Sequence, residues 1–348
     1  MTLLLLLACN KDEAPVGDSS APTDDTQENN ADSGDVEDCS TVPEEISPKD
    51  EAPNVYWRDT LRVGFTEPVS GVVFDLQSEG GDSGLEAHDP ALFETWNETS
   101  QIVELQVQGY LLPDRDYSLS ITVCEQTYVS TFSTGSWGAP LEIDVDELVG
   151  RAYVVELNEV EFTEPAGFGS FLSLYLDVPI LIGVQEISPD ETTMQLLGAQ
   201  GRLKNDGTYT QKYTETVDEE KYYVATWPFE DVSFSDPYFS GTADLIRLGY
   251  SGVEIPVHDF HLEGTFSADG TKFGGAVIEG LGDTRHMAPL FGEADDPNYL
   301  CDLVSGTVSC EPCPDDGEPV CLFLRGENIT ADWLDYIELV EQERVPYE

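Results

Sequence analysis

From residue 52 onward, short segments alternate apolar and polar residues, the period of a strand with one buried face. In Tyr117-Ser-Leu-Ser-Ile-Thr-Val123 every second position is apolar. Comparable segments at 61–65, 71–76, 102–107 and 127–132, with turn residues between them, predict a small antiparallel sandwich over 52–138. A larger strand-rich stretch follows over 139–348, with strands expected at 152–162, 171–184, 193–203, 208–216, 222–229, 241–248, 257–266 and 273–278. Asn205-Asp206-Gly207 and Asp269-Gly270 lie between alternating runs and read as tight hairpin turns. About eight consecutive antiparallel strands predict a barrel or a second sandwich, because closure removes exposed edges. Near the end the period changes. Ile329, Trp333, Ile337 and Val340 recur every three or four residues and predict a short C-terminal helix over 330–343. The expected fold class is all-β.

Residues 10–51 differ from both stretches. They are rich in Asp, Glu, Ser, Pro and Asn, hold no aromatic residue, and carry only Lys11 and Lys49 as basic residues. Such a segment buries too little apolar surface to offset the entropy of ordering, and its like charges repel, so an extended disordered tether is expected. The whole chain holds 69 acidic against 15 basic residues, a formal charge of −54. That charge repels nucleic acid and anionic lipid surfaces and excludes them as partners.

Ahead of the tether, a leucine run from Leu3 to Leu7 meets Ala8 and Cys9. Leu6-Leu7-Ala8-Cys9 resembles the lipobox of bacterial lipoproteins. The resemblance implies cleavage before Cys9, fatty acyl chains such as palmitate on Cys9, and a membrane anchor outside the cytoplasm. Asn10 in place of an aspartate favours the outer membrane in that family. A secretory signal needs a basic start and an apolar stretch of roughly 7–15 residues, so the true start is expected upstream of Met1. Residues 1–9 are thus read as signal and lipobox, and lipidation is expected at Cys9.

Three further segments carry a second resemblance: Arg62-Val-Gly-Phe-Thr-Glu-Pro-Val-Ser70, Tyr110-Leu-Leu-Pro-Asp-Arg-Asp-Tyr-Ser118 and Ser130-Thr-Phe-Ser-Thr-Gly135. In this order they resemble the SbsA-type bacterial Ig-like domain of surface-layer proteins. An acidic, glycine-rich insertion over 78–89 departs from that pattern. The likeness implies an Ig-like sandwich that acts as spacer or binding module, with no catalytic residues to carry over. No family resemblance is recognised over 139–348.

With Cys9 lipidated, six cysteines remain: Cys39, Cys124, Cys301, Cys310, Cys313 and Cys321. An even number in an oxidising compartment reads as disulfides. Four lie within 301–321, where two disulfides, a four-cysteine zinc site and a redox Cys310-Glu-Pro-Cys313 remain open. Clustering leaves Cys39 to pair with Cys124. Asp144, Asp146 and Glu147 sit at the junction of the two stretches as weak calcium ligands, too few without others. Gly81-Asp82-Ser83-Gly84 is similar to a serine-protease nucleophile segment, yet its histidine and aspartate are missing upstream. In His258-Asp-Phe-His261 a regular strand would put the two imidazoles on opposite faces, with Asp259, His261 and Val257 together. Gly282-Asp-Thr-Arg-His286 gathers polar groups without a visible partner.

No nucleophile–base pair stands out, and no cofactor is implied. The sequence therefore predicts a non-enzymatic, membrane-anchored lipoprotein with a structural or binding role, its partner a protein or surface polymer. The alternative is a carrier, with a lipid or small hydrophobe inside a C-terminal barrel. An empty apolar cavity would favour the carrier, a filled core the first reading.

Overall fold

The computed structural model describes residues 41–78, 87–167, 169, 178–217, 220–293, 296–306 and 308–347. The expected lipobox with Cys9, most of the tether, Cys39, the segment Gly81–Gly84 and the first part of the strand expected over 171–184 lie outside the described residues.

Eight strands form the first body: β1 (Pro43–Ser47), β2 (Ala52–Val55), β3 (Leu61–Phe65), β4 (Val73–Ser78), β5 (Leu92–Trp96), β6 (Ile102–Val107), β7 (Asp116–Val123) and β8 (Gln126–Thr134). They make two four-stranded sheets, ordered β1-β3-β6-β5 and β2-β8-β7-β4. This is the strand order of immunoglobulin-type sandwiches, with the first strand split between the sheets. β2 runs parallel to β8, so the sandwich is not purely antiparallel as expected. Leu61, Val63, Leu105, Leu119 and Ile121 are fully buried between the sheets, each on the inward phase of its strand. The Tyr117 hydroxyl accepts the Leu112 N–H at 2.7 Å, a tyrosine corner that pins the turn into β7.

The sandwich begins earlier than the expected boundary at residue 52. β1 pairs with β3, Ile46 opposite Val63, so residues 43–51 belong to the folded body and not to the tether. β1 and β5 are the edges of their sheet, and neither β1, β2 nor β5 was legible as a strand. Edge strands carry charge and proline against self-association, and Pro43-Glu44-Glu45 reads as tether for that reason.

The second body holds β9 (Ala152–Glu156), β10 (Glu161–Glu164), β11 (Pro179–Ile187), β12 (Thr193–Leu203), β13 (Tyr209–Gln211), β14 (Thr214–Val217), β15 (Glu220–Tyr223), β16 (Trp227–Ser235), β17 (Tyr238–Tyr250), β18 (Val253–Phe266), β19 (Lys272–Asp283) and β20 (Cys321–Trp333). The antiparallel path β9-β11-β12-β16-β17-β18-β19-β20 closes where β20 pairs with β9, Trp333 opposite Tyr153. The result is an eight-stranded up-and-down barrel. β10 adds to β20, β13 extends β12, and β14–β15 form a separate hairpin.

Both hairpin signals are turns whose aspartate ties the loop. Asp206 accepts the Thr208 N–H at 3.0 Å, and Asp269 accepts the Thr271 N–H at 3.0 Å. Tyr153, Trp227, Phe229, Phe239, Phe266 and Phe273 lead the interior, all within 2 % exposure. A cavity of about 30 Å³ lies elsewhere in this core, lined by Leu157, Phe162, Ile246 and Phe260 among other, almost wholly apolar, residues. That is room for a water or two, not for a ligand.

The expected C-terminal helix is absent. β20 runs through Trp333, and residues 334–347 then cross the outside of the barrel as an irregular strap. Leu334 and Leu339 bury against Ala152, Val154, Leu181, Leu197 and Ala199 on the outer face. The three-to-four-residue spacing arose because Ile329 ends up inside the barrel while Trp333 and Val340 stay exposed, so they never share a face. Among the described residues the α-helix longer than one turn is α1 (Tyr299–Val304), between β19 and β20.

Candidate functional site

The four clustered cysteines form disulfides Cys301–Cys310 and Cys313–Cys321. Cys310 and Cys313 are therefore bonded to different partners, and no thiolate is left for zinc or for a redox pair in this state. The loop packs Cys313, Val320 and Cys321 over Leu281 on the outer face of β19. Cys124 is also disulfide-bonded, and Cys39, its expected partner, lies outside the described residues.

Asp144 does not lie extended with Asp146. It caps a one-turn 3-10 helix over Val145–Leu148, its carboxylate accepting the Asp146 N–H at 3.1 Å. Among the described residues the group whose side-chain ligand atoms converge is Cys313, Asp315 and Asp316, and the side chains of Asp144, Asp146 and Glu147 are not brought together in this way. Even that group offers no site, since the Cys313 sulfur is in a disulfide and Asp316 pairs with Arg285 at 2.5 Å.

The two histidines of β18 share a face after all. The register slips between His258 and His261, and Asp259 takes a φ of 49°. This β-bulge turns Val257 and Phe260 both into the core and both imidazoles outward. His258 is buried at 7 % exposure beside the cysteine-rich loop. His261 meets Ser240 Oγ at 3.4 Å and Glu263 at 3.6 Å through the same Nε2, while Nδ1 faces Thr242. Ser240 and Glu263 thus share one ring nitrogen of His261, and the Thr242 hydroxyl lies on the other. In the Gly282–His286 turn, Asp283 is 1 % exposed and receives Arg285 through both carboxylate oxygens. This bidentate pair ties the turn to the cysteine-rich loop through Asp316.

Two clusters escaped sequence reading. The first lies on the barrel flank, where Glu254, 7 % exposed, accepts Arg247 at 3.0 Å and Arg344 of the strap at 2.7 Å. Beside it Lys212 donates to Glu215 at 3.0 Å, to Gln200 at 3.2 Å and to the Gly249 carbonyl at 2.9 Å. Glu215 sits so close to Gly249 that a Cβ there would collide with its carboxylate. Burial raises the Glu215 carboxyl above its ordinary range, against the pull of Lys212. Burial pushes Glu254 the same way, but hydrogen bonds from Arg344 and from Glu215, with the charge of Arg247, outweigh it and leave Glu254 low. The two neighbouring carboxyls are thus shifted in opposite directions. Perturbed carboxylates often mark active sites. Here both are enclosed, and what the cluster does is clasp the strap and the β13–β15 region to the barrel.

The second cluster joins sandwich and barrel. Thr265, fully buried, meets the Tyr56 hydroxyl at 2.5 Å and accepts the Trp57 indole N–H at 3.2 Å. Gly274 and Gly275 leave β19 bare where the rings of Trp137 and Tyr56 lie, and a Cβ would sit 2.3 Å and 2.2 Å from them. Burial raises the Tyr56 hydroxyl pKa, consistent with its use as a neutral hydrogen-bonding group. Next to it, the Arg58 guanidinium stacks between Tyr238 at 3.5 Å and Tyr110 at 4.1 Å. An open cleft of about 310 Å³ adjoins this joint, lined by Trp57, Arg58, Asp59, Phe93, Gln106 and Tyr110 among others. A rare arginine directly after two aromatics, Tyr56-Trp57-Arg58, was the available signal. Its meaning depended on Tyr110 and Tyr238, far away in the chain.

No family model matches this chain. No curated protein matches it either. Among solved structures it is similar to the LD transpeptidase LdtMt1 in complex with imipenem, at 12 % identity and TM-score 0.20, over 62 % of this chain and 79 % of that one. A DUF4784 family protein from Bacteroides caccae ATCC 43185 gives 9 % identity and TM-score 0.21, over 70 % and 81 %. Domains 1–6 of the surface layer protein SbsC give 13 % and 0.20, over 88 % and 53 %. At such scores none of these establishes a shared fold or a shared function.

Proposed function

We propose that this chain is a lipid-anchored extracytoplasmic lipoprotein with a structural or binding, non-catalytic role, its Ig-like sandwich and its barrel presented together at a cell surface. One observation supports this choice over a carrier: the barrel is closed, and its described interior is packed with aromatic and aliphatic side chains. Pockets that hold drug-sized ligands have about 300–1,000 Å³, and the apolar cavity lined by Leu157, Phe162, Ile246 and Phe260 has about 30 Å³. The disulfides of the cysteine-rich loop fit an oxidising compartment. The motif Leu6-Leu7-Ala8-Cys9 supplies the anchor, and the SbsA-type likeness of the sandwich supplies the spacer role. The outer membrane is favoured because Asn10 follows Cys9.

The test is made in cells. Cys9→Ala should move the protein from the membrane fraction to the soluble one, and mass spectrometry of the wild type should find acyl chains on Cys9. A bare thiol on membrane-purified protein would overturn the proposal.

A further inference from the structure

The cleft beside the joint combines three features that structural roles do not use up. First, its rings are exposed: Phe93 is 56 % and Tyr110 40 % accessible, flanking a floor to which Trp57 contributes. Second, its polar groups are unspent. The side chains of Gln106 and Gln108 make no hydrogen bond among the described residues, and the Arg58 guanidinium has stacking partners but no carboxylate in ion-pair range. Asp59 uses one carboxylate oxygen on the Tyr56 N–H at 3.2 Å, and burial raises its pKa. Third, the cleft is built on the clamped joint, where Thr265 fixes both Tyr56 and Trp57. A site on fixed elements gives up little ordering entropy when it is filled.

Flat apolar faces beside planar amides, a guanidinium edge and a carboxylate oxygen match one ligand chemistry well. A sugar ring offers C–H faces to stack on aromatic rings. Its equatorial hydroxyls each donate and accept, which amide and carboxylate groups satisfy in pairs. A purely apolar ligand would leave Gln106, Gln108 and Arg58 desolvated without partners. A polyanion would approach against a formal charge of −54.

We infer that the Trp57–Tyr110 cleft binds a neutral oligosaccharide, with Phe93 and Tyr110 as stacking platforms and Gln106, Gln108, Arg58 and Asp59 as hydroxyl partners. This deepens the surface-binding role proposed above and rests on it only for the compartment where glycans are met. The test therefore uses purified full-length protein in detergent, where anchoring at Cys9 plays no part. Cellohexaose and chitohexaose are titrated by calorimetry, with trigalacturonate as the charged control. At least one neutral hexasaccharide should bind, trigalacturonate should bind at least tenfold more weakly, and Phe93→Ala should weaken neutral binding about tenfold, the equivalent of roughly 1.4 kcal/mol. Phe93 is an exposed edge-strand residue, so its removal leaves the fold intact, and Gln106→Ala gives a second, independent reading of the same cleft. Absence of binding by both neutral probes at millimolar concentration overturns the inference. So does binding that survives both substitutions, and so does a preference for trigalacturonate. Failure at Cys9 with binding retained would instead strike only the anchor.

Discussion

The strap over residues 334–347 should come loose when Glu254 loses its charge. Glu254 joins the barrel to Arg344 of the strap at 2.7 Å and to Arg247 at 3.0 Å. In Glu254→Gln the side chain keeps its size, but one oxygen becomes an amide that faces a guanidinium as a donor. A hydrogen bond to a charged group contributes roughly 1.5–3 kcal/mol. The side chains of Arg247 and Arg344 are 37 % and 33 % exposed and can take water in compensation, so the low end applies. A loss of about 1.5–2 kcal/mol corresponds to roughly 10- to 30-fold in the opening equilibrium of the strap. Native-state hydrogen exchange reads this directly. The Val340 N–H donates to Gln211 at 2.9 Å and the Gln342 N–H to Thr226 at 3.0 Å, and both should exchange faster by that factor. Amides of Leu262 and Ile278, paired between β18 and β19, should not change. Unchanged strap amides would refute the clasp. Uniform acceleration of all amides would show that Glu254 supports the whole barrel and not the strap. Arg344→Met should act in the same direction and on the same amides.

Two other outcomes follow from single contacts. Hydrogen bonds from the Thr271 N–H, Ser267 and Thr271 lower the Asp269 carboxyl to about 2, so its contribution to stability is present above its ordinary value of 3.8 and is lost as pH falls towards about 2. Asp269→Asn should flatten the pH dependence of unfolding in that window, and an acid limb identical to wild type would contradict the turn assignment. At the joint, Thr265→Val keeps the shape but leaves the Tyr56 hydroxyl and the Trp57 indole without their partner. A loss of about 1–3 kcal/mol is expected by denaturant titration followed through tryptophan fluorescence, with no loss if the joint were merely a contact of surfaces.

What the chain carries locally was legible from its order of residues alone. Alternation identified β3, β6, β7 and most barrel strands, because a strand with one buried face must repeat every second residue whatever it packs against. The Asp-Gly turns were readable because a φ above zero and a side chain that caps its own loop are properties of neighbours in sequence. The clustering of Cys301, Cys310, Cys313 and Cys321 pointed to two local disulfides for the same reason.

Tertiary structure decided the rest. Closure of the barrel depends on Trp333 meeting Tyr153, and no local pattern encodes a pairing across that distance. Ile329, Trp333, Ile337 and Val340 looked helical until β20 took up the edge of β9 and the strap found the apolar outer patch of Leu181 and Leu197. A bulge at Asp259 reversed the faces of the two histidines, because one extra residue inverts the alternation that sequence reading assumes. The clasp draws on residues from Gln200 to Arg344, and the joint on Tyr56, Tyr110 and Thr265. Charge pairs and hydrogen bonds act over a few ångströms of space, while spacing along the chain says nothing of which distant groups the fold will bring within that reach.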